Sequence, residues 1–271
     1  MLVENRREAS SRLGKVETGL VTHCFVEPEL GLSAVRNRIF AEAERLDAEW
    51  LACLDDDVLP VESWLEEYAE AMKSKPEGRL FHGQYWYRFP DGYSLAIERD
   101  PDDLEQMFER DVRFGGGNLL IHASLYRESE LRFDPRFDAC GSEDTDFRRQ
   151  AAALGIDAVP VPKAVIQEII TGHRISFKVG FHRKVDHGVA GMLMLKKHGQ
   201  PLAVAVGLSI QLPRRFYNVS LMWVKVLFAY TLRSKNRPAV LQGAWASLAQ
   251  FIGNLLGLCG YRGSYYDRTD T

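Results

Sequence analysis

Apolar positions recur along this chain with two alternating periods. From Gly31 to Trp50, Val35, Ile39, Ala43 and Leu46 fall at helical spacing behind Ser33, a natural N-cap, which predicts a helix. Trp50-Leu51-Ala52-Cys53-Leu54 follows at once, a short unbroken apolar run suited to a buried strand. That strand ends in Asp55-Asp56-Asp57, Pro60 closes the turn, and Ser63 caps a second helix from Trp64 to Ser74 that Pro76 stops. Further on, Arg79 to Phe89 is aromatic and strand-like, and Phe114 to Ile121 is a glycine loop entering a strand. Asp144 to Leu154 reads as a helix ended by Gly155, and Ala158 to Val165 as a strand edged by prolines. Helix, buried strand, acidic turn, helix is the order expected of an α/β protein with a mostly parallel sheet. In such sheets ligands bind beyond the carboxyl ends of the strands, where the three aspartates fall.

After His173 the pattern changes. Basic residues cluster in HRISFKVGFHRKVDH, and apolar helical stretches then alternate with basic breaks such as Pro213-Arg214-Arg215. This predicts an α/β domain over residues 1–195 and a helical appendage over 196–271. At 271 residues, 46% hydrophobic and 26% charged, the chain is long enough for a large α/β domain with such an appendage. The net charge of -3 argues against a nucleic-acid partner, which needs a basic face. Cys24, Cys53, Cys140 and Cys259 form no close pair and are expected to be buried reduced thiols in a cytoplasmic protein. The N-terminus has no apolar signal core, and no segment reaches the ~20 apolar residues that span a bilayer.

The chemistry-bearing residues form two acidic clusters. Like charges as close as Asp55, Asp56 and Asp57 raise one another's pKa unless a cation stands among them. A solvated acidic turn capping the next helix accounts for them equally well in isolation. Alternatively, Asp55 can bond a ribose hydroxyl while Asp57 ligates magnesium or manganese, hard ions that combine one or two carboxylates with water and phosphate oxygens. Such an ion neutralises charge developing on a diphosphate leaving group. The second cluster, Glu143-Asp144 with Asp146, opens a helix, and acidic residues are favoured in a first turn for dipole and capping reasons alone. Paired with the first cluster, it supplies the carboxylate that takes a proton from an attacking hydroxyl. Gly116, Gly117 and Asn118 suit either close backbone approach to a ligand or a tight turn. His173, Arg174, Arg183 and their basic neighbours are candidates to close over a diphosphate, or simply a solvated basic face. His82 reads as structural, and Tyr85, Trp86 and Tyr87 as sheet residues, one of which can stack on an acceptor sugar.

The order of these features resembles family 2 glycosyltransferases of the GT-A fold, especially the branch that builds bacterial exopolysaccharides such as succinoglycan. The matching stretches are Glu27-Pro28 to Asn37, Trp50 to Leu59 with Trp64-Leu65, Gly116-Gly117-Asn118, Phe133-Asp134, Gly141 to Phe147, Pro162 to Val165 with Glu168, and Arg174 with Arg183. The resemblance covers roughly residues 2 to 190. It implies a Rossmann-like sheet flanked by helices. It also implies an inverting, metal-dependent transfer from a nucleoside-diphosphate sugar, UDP by expectation, to a saccharide or lipid-linked acceptor. Asp55 and Asp56 then contact ribose or diphosphate, Asp57 and His173 the metal, and Asp144 is the base with Glu143 orienting the acceptor. Arg36, Gly116, Gly117, Asn118 and Arg183 bind the donor. Glu4 stands where the family carries a base-contacting aspartate. The chain is expected to lack the family's first βα unit.

Two other functions compete. A haloacid-dehalogenase-like phosphatase also places Asp-x-Asp after a buried strand, but leaves Glu143-Asp144 without a role. A truncated relative with impaired donor binding would serve as a binding or scaffold protein. Separately, Leu212 to Leu232 and Ala244 to Leu258 mix apolar faces, tryptophans and basic edges, which suits peripheral attachment at the cytoplasmic face of a membrane as well as packing on the domain.

Overall fold

The apolar run Trp50–Leu54 is strand β3, and it lies in a five-stranded sheet of order β3-β6-β5-β7-β4. The other members are β4 (Val58–Pro60), β5 (Leu80–Arg88), β6 (Asn118–His122) and β7 (Ala158–Ile169). A second, two-stranded sheet pairs β1 (Leu2–Asn5) with β2 (Cys24–Glu27) in parallel, Glu4 opposite Val26. β6 runs antiparallel to both its neighbours in the larger sheet. The structure, a computed structural model, describes residues 1–5, 23–88, 112, 114–170, 176–199 and 201–263, without the side chains of residues 2, 201–207 and 209–211.

The period of two in the strands sorts side chains onto opposite faces of the larger sheet. Leu119 and Ile121 of β6 and Leu80 of β5 join Phe40, Tyr126, Phe133 and Phe147 in one core. Leu120 and Phe81, one position along, join Trp64, Tyr68, Val161 and Ile166 in another. The first core is covered by α1 (Leu32–Arg45) and α4 (Glu143–Ala153), the second by α2 (Trp64–Ser74). Phe133 and Phe147 stack at 4.5 Å between ring centroids, and Phe40 packs on both. The short helix α3 (Ser124–Arg127) turns the chain after β6 and buries Leu125 and Tyr126. The α/β reading of the chain therefore holds, with helices on both faces of the sheet.

The helix starts differ from expectation. Ser33 is not the N-cap of α1: Gly31 is, with a φ of 136° that favours glycine. The backbone N–H of Ser33 donates instead to Asp138 Oδ1 at 2.9 Å, a carboxylate from 105 residues away. Ser63 does precede α2, but its side chain makes no capping bond.

By internal contacts the chain divides into two compact units. The first comprises Met1–Trp86, Asp111–Asp138 and Glu143–Gln167; the second comprises Tyr87–Arg110, Ala139–Ser142 and Glu168–Thr271. The second unit is carried by α5 (Phe177–His198), α6 (Pro201–Thr231) and α7 (Arg237–Leu258). α5 and α7 pack backbone to backbone: a Cβ on Gly253 would sit 1.9 Å from the Val185 carbonyl oxygen. No helix among the described residues is long and apolar enough to cross a membrane. The thiols are free, but only Cys140 is buried and Cys53 half-buried. Cys24 and Cys259 are exposed, against the expectation of buried thiols, because both stand at the ends of their elements.

Candidate active site

The acidic turn and the acidic helix start meet at one arginine. Arg36, in the first turns of α1, is buried between them. Its Nη1 donates to Glu143 Oε1 in a tight ion pair, and its Nη2 lies 3.9 Å from Asp55 Oδ1. The guanidinium also sits over the Phe133 ring, 5.2 Å from its centroid, an additional cation–π contact. Asp55 reaches this point because β3 ends there, and Glu143 because it is the first residue of α4. Arg36 thus supplies the positive charge that the aspartate run lacks in the sequence.

The glycine loop before β6 closes over this pair. A Cβ on Gly116 would fall 2.2 Å from Arg36 Cζ, and one on Gly117 2.0 Å from Asp55 Oδ2. Any side chain at either position would displace the charged groups, so the glycines serve close approach to the protein's own ion pair. A Cβ on Gly115 would fall 2.7 Å from the Tyr85 hydroxyl oxygen, which brings that phenol to the cluster's edge.

The electrostatics follow from this packing. Burial works to lower the pKa of Arg36, but Glu143, then Asp55 and Asp144, more than reverse it and hold the guanidinium firmly charged. Burial pushes the Glu143 carboxyl up, Arg36 opposes this, and Asp144 adds to the rise. Desolvation also raises Asp55, although 47% of its side chain is exposed; Arg36 pulls it down, and Asp57, Glu143 and Asp56 push it up. Burial raises the Tyr85 phenol, with Asp55 adding to the effect, so it stays protonated as a donor. The Cys53 thiol beneath the turn is pushed up to about 12 by burial and is inert as a nucleophile at neutral pH.

Of the residues singled out by sequence, Arg36, Asp55, Gly116, Gly117, Glu143 and Asp144 converge. Asp144 is half-exposed, its Oδ1 accepting from the Thr145 N–H at 2.6 Å. Asp56 and Asp57 are exposed on the same turn, within electrostatic reach of Asp55. Asn118 is a correction. It is fully buried and points into the sheet, where its Oδ1 accepts from Trp64 Nε1 and the Tyr68 hydroxyl, both at 2.8 Å. Its amide nitrogen donates to the carbonyls of Gln84 and Ala164. With both donors and both acceptor positions taken, Asn118 ties α2 to β5, β6 and β7 and has nothing left for a substrate.

Glu4 stands on β1 in the smaller sheet. Arg183 is exposed on α5, in the second unit. His173, a candidate metal ligand, and Arg174 lie outside the described residues. Among the described residues no three His, Cys, Asp or Glu side chains converge to hold a metal by themselves. Asp55 and Asp57 are nonetheless hard oxygen donors on an open turn. They fit a magnesium or manganese ion that completes its shell with water and phosphate oxygens. Sequence reasoning missed Phe133 as the platform under Arg36 and Asp138 as the cap of α1. Both act across about a hundred residues, and no local pattern marks them.

Neither a family model nor a curated protein sequence matches the chain. Solved structures do. A mannosyltransferase from Pyrobaculum calidifontis, in complex with GDP-Man and Mn2+, superposes with a TM-score of 0.59 at 13% identity, covering 94% of this chain and 77% of that one. TarS of S. aureus superposes more loosely, with a TM-score of 0.44 at 12% identity over 94% of this chain and 49% of that one. The first likeness establishes the fold as GT-A.

Proposed function

We propose that this chain transfers a sugar from a nucleoside-diphosphate donor to an acceptor hydroxyl with inversion at the anomeric carbon. The observation that carries the reading is Arg36, which joins the Asp55 turn to the Glu143-Asp144 helix start in the GT-A fold. A phosphatase has a use for the first cluster only. A transferase needs both, one for the leaving diphosphate and one for the attacking hydroxyl.

Asp57, with Asp55 beside it, would hold magnesium or manganese, whose chemistry is to neutralise charge developing on the departing diphosphate. Asp55 accepts from the donor's ribose or orients its diphosphate, with Asp56 flanking. Gly116 and Gly117 keep Arg36 and Asp55 in place under the donor. Asp144, half-exposed and next to buried Glu143, takes the proton from the acceptor hydroxyl as its oxygen bonds to the anomeric carbon. The bond from that carbon to the phosphate oxygen breaks, and its electron pair leaves with the nucleoside diphosphate. Glu143 is committed to Arg36 and so positions the helix start that presents Asp144.

The resemblance to family 2 enzymes supports a UDP-sugar as donor and a saccharide, free or lipid-linked, as acceptor in cell-surface polysaccharide synthesis. Isothermal titration with UDP and manganese tests the donor site, and UDP release from UDP-sugars tests turnover. Manganese-dependent UDP binding that Asp57→Asn abolishes is the expected result. No binding at millimolar UDP would overturn the reading in favour of a non-catalytic scaffold. Hydrolysis of p-nitrophenyl phosphate abolished by Asp55→Asn would overturn it in favour of a phosphatase.

A further inference from the structure

The helical unit holds a largely polar cavity of about 460 Å³, whose polar lining is Arg214, Arg215 and Asn218 from α6 and Ser247, Gln250 and Asn254 from α7, with Val219 and Phe251 completing its wall. Its innermost group is unusual. Asn254 is 1% exposed, and among the described residues neither its amide nitrogen nor its amide oxygen has a hydrogen-bond partner. A buried amide left unpaired costs stability, so Asn254 gives the cavity wall a polar group that an added hydrogen-bond partner would satisfy. Two guanidinium groups beside amide donors make a site for a phosphate. The surrounding sequence agrees: no carboxylate stands between Asp186 and Asp267, a stretch with nine lysines and arginines in a chain of net charge -3.

The same helix leaves an apolar face uncovered. Tyr217, Leu221, Val224 and Phe228 recur at spacings of four, three and four, and all four are exposed. The opposite side of α6 is occupied: Val219 is buried, and Trp223 meets Trp245 of α7 edge-on at 5.1 Å. Lys225 on the helix and Arg233, Lys235 and Arg237 at its end add positive charge along this surface. An exposed apolar helical face with basic flanks and no acidic residue is complementary to an anionic lipid surface.

We propose that α6 lies in the surface of an anionic membrane and that the cavity between α6 and α7 takes the phosphate of one lipid headgroup. Arg214 and Arg215 pair with the phosphate, and Asn254 meets a polar atom of the headgroup. This does not rest on the transfer reading, because binding is measured without donor or metal.

The test is sedimentation of the full chain with vesicles of phosphatidylcholine alone or with phosphatidylglycerol admixed. Binding is expected at least about tenfold tighter with phosphatidylglycerol. The paired change Arg214→Gln/Arg215→Gln should weaken it by more than about a hundredfold: the loss of two basic residues at the surface, about 1 kcal/mol each and roughly one tenfold step per 1.4 kcal/mol, accounts for about thirtyfold, and direct pairing with the phosphate adds to it. Arg233→Gln/Lys235→Gln removes the same charge outside the cavity and should cost several-fold less. Asn254→Leu should weaken vesicle binding while raising the midpoint of denaturant unfolding, two effects of opposite sign that simple misfolding does not produce. Equal losses for the two double variants would reduce the site to diffuse charge and overturn the cavity. Equal binding to both vesicle types, or to neither, would overturn the anionic surface. If sn-glycerol 3-phosphate raises the unfolding temperature of the wild type but vesicles do not bind, the cavity takes a free phosphate and the lipid assignment fails.

Discussion

The Arg36 cluster of the first unit and the α6–α7 face of the second handle charge in opposite ways. Around Arg36, opposite charges are packed together by a glycine loop, and the buried guanidinium is satisfied from within by Glu143 and Asp55. On α6–α7, all the charge is of one sign, large apolar side chains are exposed, and the buried Asn254 has no hydrogen-bond partner among the described residues. The first arrangement is preorganised: its cost is met by internal pairing, so its groups hold their geometry before a substrate arrives. In the second, the basic groups and the Asn254 amide have no such internal pairing among the described residues. Internal pairing of polar groups is what separates the two surfaces.

The sharpest break of this comparison is at Asp144. If the first unit is the reacting centre, Asp144→Asn should lower turnover by about 10²–10⁴ while UDP binding by titration stays unchanged, as loss of a general base requires. The same change should leave vesicle binding untouched. A parallel loss of UDP binding would mean that Asp144 is structural.

Next in size is the ion pair. Arg36→Leu strips the buried Glu143 of its partner and should destabilise the fold by about 3–5 kcal/mol, read as a drop in the denaturant midpoint. Adding Glu143→Gln should recover part of that loss, because the uncompensated charge is gone. No recovery would show that Arg36 acts through its packing on Phe133 instead.

The pH dependence sharpens the same point. Asp55 and Glu143 both have folded-state values raised by burial, so above the ordinary glutamate value of 4.5 the folded protein retains protons that the unfolded chain has released. Stability should fall as pH rises through that window and level off once both groups are ionised. Glu143→Gln should flatten the fall, which denaturant midpoints taken across the window will measure.

The smallest effect is expected at Asp138, which caps α1 through the Ser33 N–H. Asp138→Ala should cost about 1 kcal/mol, within the range of lost N-caps, and should loosen the helix that carries Arg36. A change in thermal midpoint with no change in UDP affinity would confine Asp138 to the scaffold.

Much of the fold was legible because it is written locally. The run Trp50–Leu54, the alternation that splits Leu119 and Ile121 from Leu120, and the helical spacing of α1, α2 and α4 all act over a few residues, so period alone identifies them. The two carboxylate clusters were legible for the same reason: each is contiguous and sits at the end of an element. What the sequence left open was what each polar group faces. Asn118, next to three glycines, reads as part of a ligand loop, but the strand's pleat turns its side chain inward onto Trp64 and Tyr68. Only the tertiary structure decided that Arg36 pairs with Glu143, 107 positions away, that Asp138 rather than Ser33 caps α1, and that Asn254 is buried without a hydrogen-bond partner among the described residues. Pairings of that kind depend on how the elements pack, and side-chain chemistry carries no record of which distant partner it will meet.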